Sequence, residues 1–423
     1  MDPISPESSR RALVGRLLKG GLPAIAASAF VAFVPIIGSA YLSVDDYAVW
    51  ALAATLSTIF IVFDFGTPTL ATKLAGSRDL DFRTAVTLCG LSAAPPIALG
   101  AIAIAVWPAY SAAADLQADN STAIHLILLV SVGGVLRSIG VVYGAAALGR
   151  SHFLRRTAVL FLGGSIQLVS TIAALEYDLG IMSLGIGTVA AGFAQFSVGI
   201  VAEGLRCRND PRLDRAKSIS VKNMIILFMR TRIVVAMLGL FITQLDRWSL
   251  GLVGDATLLA RYDVATRFIM IPKIILIALA AGLVADSSRL RNAVDARLLL
   301  MRVQKLVTIA MIPLLIGASV VAFLAQKLML DVAPSLLIVA LVALAHGANC
   351  MTIAPVNIMS GVGRPDFELR YIVPLALLVL LSYGIGIVSG SGISQIVVWA
   401  IAMTAMSAWF AAISNKLLRE VFV

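Results

Sequence analysis

Three cysteines, three histidines and only 13% charged residues are few for a chain of 423 amino acids. The cysteines exclude a disulfide framework, because Cys89 and Cys350 fall inside apolar stretches and Cys207 stands alone in a polar connection. His125, His152 and His346 are scattered, and no His and Cys share metal-ligand spacing, so neither a metal nor another cofactor is expected. There is no Ser/His/Asp arrangement, no glycine-rich phosphate loop and no pair of carboxylates placed for acid–base work, so an enzyme is not expected. A cleavable signal peptide is not expected either: the N-terminus is polar, and the first apolar run is too long for a signal h-region. Long polar segments are missing too. The longest connection runs from about 204 to 222, which leaves no room for a soluble domain.

What fills the chain is apolar sequence. Hydrophobic residues make up 60% of it, and the mean hydropathy is +0.96. Hydropathy divides it into about twelve spans, each reaching the roughly 20 residues that cross a bilayer. They lie near 20–43, 47–71, 84–110, 121–147, 157–175, 180–203, 223–252, 258–284, 304–325, 333–359, 370–390 and 393–415. Assigning the connections alternately to two sides puts 25 of the 33 lysines and arginines on the side of the N-terminus and only Lys327 on the other. The second side instead carries Asp45, Asp46, Asp115, Asp119, Glu176, Asp178, Asp255 and Asp331. By the positive-inside rule the basic side is cytoplasmic, so both termini face the cytoplasm. The sequence therefore predicts an all-α integral membrane protein with about 12 transmembrane helices in two six-helix halves. Residues 1–203 form the first half, 204–222 a cytoplasmic linker and 223–423 the second half. The net charge of +10 follows from this topology and from anionic headgroups beside the loops, and it does not call for nucleic acid.

The halves carry traces of a repeat. A shift of 212 residues sets Ala48, Trp50 and Ala53 against Ala260, Tyr262 and Ala265, each set following an acidic turn on the outer side. Transporters are commonly built from such repeats. At this point the residues resemble a known family. The stretch from Gln244 to Leu290 resembles the seventh and eighth helices of Wzx-type polysaccharide flippases, members of the multidrug/oligosaccharidyl-lipid/polysaccharide exporter superfamily. Asp246, the apolar run LGLVG, and Tyr262, Ala265 and Arg267 in a YxxAxR pattern carry the likeness. The stretch from Val44 to Arg78 is similar to the first outer turn and second helix, with Asp64, Phe65 and Gly66 as an Asp-x-Gly element. Ala48 and Ala260 stand where the family has glycine, and Ala285 where it often has proline. The resemblance implies a MATE-like fold in a bacterial-type cytoplasmic membrane. It also implies a lipid-linked oligosaccharide as cargo, coupling to H⁺ or Na⁺, and partners among membrane lipids and other polysaccharide-assembly membrane proteins.

Seven basic residues fall inside spans where topology does not require them: Arg137, Arg230, Arg232, Arg247, Arg261, Arg267 and Lys273. Only Asp64, Asp246 and Asp263 are clearly intramembrane acids, with Glu203 at an edge. A charge near the bilayer centre costs at least about 2.5–3.5 kcal/mol unless it faces water or a partner. Arg230, Arg232 and Arg261 lie near span ends and can snorkel to headgroups. Asp263 and Arg267 can pair at i,i+4. Asp246 with Arg247 reads equally as a packing pair or a transport pair, and Asp64 reads as an organiser of the loop with Lys73 and Arg78. Arg137 and Lys273 lie deepest with no local acid, which favours a cavity. His346, Asn349 and Asn357 share a face of the tenth span and are candidates for substrate contact.

An excess of embedded base over acid fits an anionic headgroup such as a pyrophosphate, which arginine grips bidentately and lysine as a point charge. The expected function is flipping of a polyprenyl-pyrophosphate-linked oligosaccharide for polysaccharide export, by rocking of the halves about a basic cavity. The alternative is an ion-coupled small-molecule antiporter of the same superfamily. A membrane glycosyltransferase or polymerase would want a sizeable outer loop, and this chain has none.

Overall fold

In the computed structural model the described residues are 30, 33–76, 80–114, 116, 119–150, 152–204, 233–234, 237–239, 241–253, 256–280, 283, 287, 292–330, 332–362 and 364–421. Among them the chain is helical and contains no strand. Residues 33–41 are helical and precede α1 (Val44–Val62), α2 (Thr67–Gly76), α3 (Phe82–Ala113), α4 (Asn120–Gly149), α5 (Phe153–Glu176) and α6 (Met182–Gly199). A π-helical turn, Ile200–Gly204, continues α6. Then follow α7 (Leu245–Val253), α8 (Ala256–Ala280), α9 (Ala293–Met329), α10 (Leu336–Cys350), α11 (Ile353–Gly361), α12 (Leu369–Ser389) and α13 (Gly392–Val421).

Eight helical segments among the described residues are long and apolar enough to cross a membrane. They correspond to the third to sixth and ninth to twelfth expected spans. The 204–222 linker falls outside the described residues after Gly204, and the seventh span is described only in part, from 233 on, so Arg230 and Arg232 lie outside them. The second expected span is broken, which hydropathy alone does not reveal. Phe65 and Gly66 take positive φ angles of 55° and 71°, so α1 stops and α2 starts anew. Asp64 holds the break: its Oδ1 accepts the Gly66 N–H at 2.7 Å, and its carbonyl accepts the Thr67 hydroxyl at 2.9 Å. The tenth span likewise turns at Met351–Thr352 between α10 and α11.

Helix starts follow the polar residues that precede each apolar run. Ser43, Asp81, Asp119, Asn292 and Ser335 each accept a backbone N–H from the first turn of the helix behind them. The Thr122 hydroxyl and N–H both bond to Asp119 and hold its carboxyl below the usual carboxylate range. On α9, Leu306, Ile309, Ile312, Ile316, Val320 and Leu324 are all exposed, a stripe fit for lipid tails since the helix satisfies its own backbone.

By backbone contact the chain divides into two compact units, Ala27–Ala260 and Arg261–Val423, the latter grouped with Met1–Ala26. In the first, α4 is the hub and packs against α1, α2, α3, α5 and α6. Its closest approach is to α6 through glycine. A Cβ on Gly140 would lie 2.5 Å from the Gln195 carbonyl, and one on Gly192 would lie 2.4 Å from the Gly133 oxygen. Without those side chains the backbones pack directly, the small-residue contact common between membrane helices. Leu70, Leu74, Leu88, Val142 and Ala146 close the seam of α2, α3 and α4. In the second unit α13 packs on α9, α10, α11 and α12. The six positions related by the 212-residue shift are all buried, with Trp50 against Tyr47 in one unit and Tyr262 against Trp399 in the other.

Candidate functional site

The break after α1 has a consequence for α4. Where α1 ends at Val62 and the helix restarts at Thr67, a small cavity of about 50 Å³ is bounded by α1, α2, α3 and α4. Arg137 enters it from α4 and Asp64 from the break, and hydroxyls of Ser57, Ser92 and Ser138 line it. Phe60 supplies an aromatic wall, and Gly134 admits it, since a Cβ there would come 2.7 Å from the Phe60 ring. Ser138 donates to the Gly134 carbonyl at 2.8 Å, and Ser92 donates to the Ser138 carbonyl at 3.5 Å. Arg137 Nε is buried, and Arg137 makes no hydrogen bond or ion pair among the described residues. A guanidinium carries five donors and cannot shed its charge, so an arginine left this way is suited to a ligand or water. Asp64 is engaged through Gly66; Arg78 and the Lys73 side chain lie outside the described residues.

Lys273, on α8 in the second unit, is half-buried beside Cys350 and close to the apolar cluster of Leu276, Val307 and Ile353. It too makes no hydrogen bond or ion pair among the described residues. Of the other intramembrane bases, Arg247 and Arg267 are engaged and Arg261 is not. Arg247 is 2% exposed, its Nη1 lies 3.3 Å from Asp246 Oδ1, and it also donates to the Thr243 carbonyl. Arg267 Nε lies 3.2 Å from Asp263 Oδ1 at i,i+4. Arg261 has a buried Nε with no hydrogen bond, while its carbonyl accepts from Gln326.

The polar stripe of the tenth span splits into two environments. His346 is buried with its ring edge-on to Trp399, which also meets Tyr262. Asn349 donates to the Tyr371 hydroxyl at 2.6 Å and to the Ser407 hydroxyl at 3.3 Å, joining α10 to α12 and α13. Asn357 donates to the Ile353 carbonyl one turn back.

One charged cluster is absent from the sequence reading. Glu203, in the π-helical turn, is 0% exposed and meets Arg150 at 2.7 Å, His152 at 3.1 Å and Arg155 at 3.4 Å. It ties the connection between α4 and α5 to the end of α6. The available signal was the single acid at the end of an otherwise neutral span, opposite a basic loop.

The comparisons with known proteins agree on family and fold. The family model described as "Polysaccharide biosynthesis protein" matches residues 39–331. No curated protein sequence matches. Among solved structures, a multidrug resistance MATE family transporter of the MOP superfamily in an inward-facing conformation superposes with a TM-score of 0.70. It is 13% identical over 94% of this chain and 99% of the other. A mutant of the Vibrio cholerae MATE transporter VcmN gives 0.67 at 14% identity, with 98% of each chain covered. The MATE multidrug transporter DinF-BH gives 0.67 at 15% identity, with 96% of each chain covered.

Proposed function

Because the chain belongs to the polysaccharide biosynthesis protein family and has the fold of MATE transporters, we propose that it is a flippase for polyprenyl-pyrophosphate-linked oligosaccharides. It moves the saccharide headgroup from the cytoplasmic to the outer leaflet by alternating access while the polyprenyl tail stays in lipid.

The observation that carries this reading is the division of the embedded charges into paired and unpaired. Arg247 and Arg267 have carboxylates of their own, so their charges are internally balanced. Arg137, Lys273 and Arg261 are bonded to none among the described residues. Arg261 lies near the end of its span, Arg137 and Lys273 lie deeper, one in each unit, and Asp64 lines the same cavity as Arg137. Keeping deep cations without a bonded acid inside a membrane protein is costly, and an anionic headgroup is the cargo that repays it. Arginine and lysine suit phosphate oxygens, through bidentate hydrogen bonds and as a point charge respectively. Arg137, Lys273, Arg267, Arg247, His346 and Asn349 are the proposed headgroup contacts, led by the first two. Asp64, Asp246 and Asp263 are the acids available for coupling to H⁺ or Na⁺.

The second reading, export of small cationic molecules, draws on what the MATE neighbours are named for. It wants an embedded acid free of basic partners, whereas Asp246 and Asp263 are each bonded to an arginine and Asp64 shares its cavity with Arg137. Binding of a cationic dye and of a polyprenyl pyrophosphate to the purified protein separates the two. The flippase reading predicts binding of the pyrophosphate and its loss in Arg137→Gln; binding of the dye alone would favour the antiporter.

A further inference from the structure

Three aromatic side chains meet near the ends of α3 and α7. Trp107 and Tyr110 come from the last two turns of α3, and Trp248 comes from α7. The Tyr110 ring lies 4.8 Å from that of Trp248, and Trp107 meets Trp248 edge-on at 6.3 Å. The Tyr110 hydroxyl donates to the Trp248 carbonyl at 2.7 Å. Gly251, one turn further along α7, admits that hydroxyl, since a Cβ there would run into it. The connections after α3 and α7 carry Asp115, Asp119 and Asp255 and belong to the acidic, outer side of the loop pattern. The cluster therefore lies toward the outer end of both helices.

Two properties of this contact single it out. By sequence α7 opens the second half, yet by backbone contact it packs with the first unit, which extends to Ala260. The cluster is thus a tie between helices of different halves, and a transporter that alternates its access has to break such ties on the side where the cargo leaves. The bonding also suits a contact that opens. Trp107 Nε1 and Trp248 Nε1 are buried, and neither has a hydrogen-bond partner among the described residues. Each unpaired donor weighs against the closed contact, and water removes that cost once the rings separate. Ring packing and one hydrogen bond hold the cluster closed against it.

We propose that Trp107, Tyr110 and Trp248 form the outer gate of the translocation path, shut in this structure, and that α3 and α7 part there to release the cargo. The gate rests on the transporter fold and not on the flippase reading, so it serves either class of cargo.

The test reads the gate without any cargo. Spin labels are attached at Ala113→Cys on α3 and Leu252→Cys on α7, both exposed positions, in the full-length protein with Cys89, Cys207 and Cys350 replaced by alanine. In lipid nanodiscs two distances between the labels are expected, the shorter one in the majority. Tyr110→Phe keeps the ring and removes the hydrogen bond. It should raise the ratio of open to closed about two- to tenfold, the worth of one neutral hydrogen bond. Gly251→Ala drives the hydroxyl away from α7, should shift the ratio the same way, and carries the test if Tyr110→Phe does not fold. Trp409→Phe, which alters an exposed aromatic on α13, should leave the ratio unchanged. A single distance in the wild type and both gate variants overturns the proposal, because α3 and α7 then move as one body. Two distances whose ratio neither variant changes overturn it as well, because other contacts then set the opening. Failure of the pyrophosphate to bind would sink the flippase reading and leave these distances, and the gate, untouched.

Discussion

An Arg137→Gln substitution is expected to leave the protein folded while removing most of its export. The reasoning starts from what the side chain lacks. Arg137 makes no ion pair and no hydrogen bond among the described residues, although Asp64 lines the same cavity, and its Nε is buried. Deleting an unbalanced intramembrane charge relieves a cost of at least about 2.5–3.5 kcal/mol, set against some lost packing of the side-chain stem. The melting temperature should therefore hold or rise. Arg247 provides the contrast. It is buried against Asp246, and Arg247→Gln removes the cation beside that buried carboxylate, which costs up to about 3–5 kcal/mol. For transport the order reverses. Each hydrogen bond between a guanidinium and a phosphate oxygen contributes about 1.5–3 kcal/mol, so losing one lowers headgroup affinity by roughly ten- to a hundredfold. The assay pairs thermal unfolding of purified variants with the outer-leaflet fraction of lipid-linked saccharide in cells that depend on the protein. Normal export by a well-expressed Arg137→Gln would refute the reasoning. So would a melting temperature that falls as far as that of Arg247→Gln, because Arg137 would then be structural.

Lys273→Gln should reproduce the export defect with an unchanged melting temperature, and Lys273→Arg should restore most of the activity, both read in the same pair of assays. Glu203→Gln should destabilise the first unit by about 1–3 kcal/mol, since it weakens the charge-assisted hydrogen bonds to Arg150 and Arg155, which are part exposed and keep some access to solvent, and denaturant unfolding reads the loss. Gly192→Ala sets a methyl 2.4 Å from the Gly133 oxygen and should cost about 1–3 kcal/mol as α4 and α6 part; Gly90→Ala on α3, with nothing near its Cβ among the described residues, is the control.

How far the sequence reached depended on how local each interaction is. The apolar runs and the basic loops mark the spans directly, and eight of them are helices of membrane-spanning length. Asp246 beside Arg247, and Asp263 four residues before Arg267, are neighbours on their own helices, so both pairs could be read from spacing. The break at Asp64 could not, because the run near 47–71 is apolar enough to read as one span. Only the positive φ values at Phe65 and Gly66 interrupt it. The cavity shares that difficulty. Arg137 stands out as a deep charge, but Ser57, Phe60 and Ser92 become its neighbours only when α1, α3 and α4 pack. Glu203 meets bases about fifty residues away, at sequence separations of 53, 51 and 48, which no periodicity signals. For His346 and Asn349 the shared face was legible and the partners were not: Trp399, Tyr371 and Ser407 come from helices later in the chain.

The central claim is that a lipid-linked saccharide crosses the bilayer through this protein by way of unpaired basic residues. The most direct measurement reconstitutes the pure protein in liposomes with a fluorescent polyprenyl-pyrophosphate saccharide and follows its movement between leaflets. Translocation that requires the protein and falls at least about tenfold in the Arg137→Gln, Lys273→Gln double variant is the predicted result. No translocation by the wild type, or an equal rate in the double variant, would contradict it.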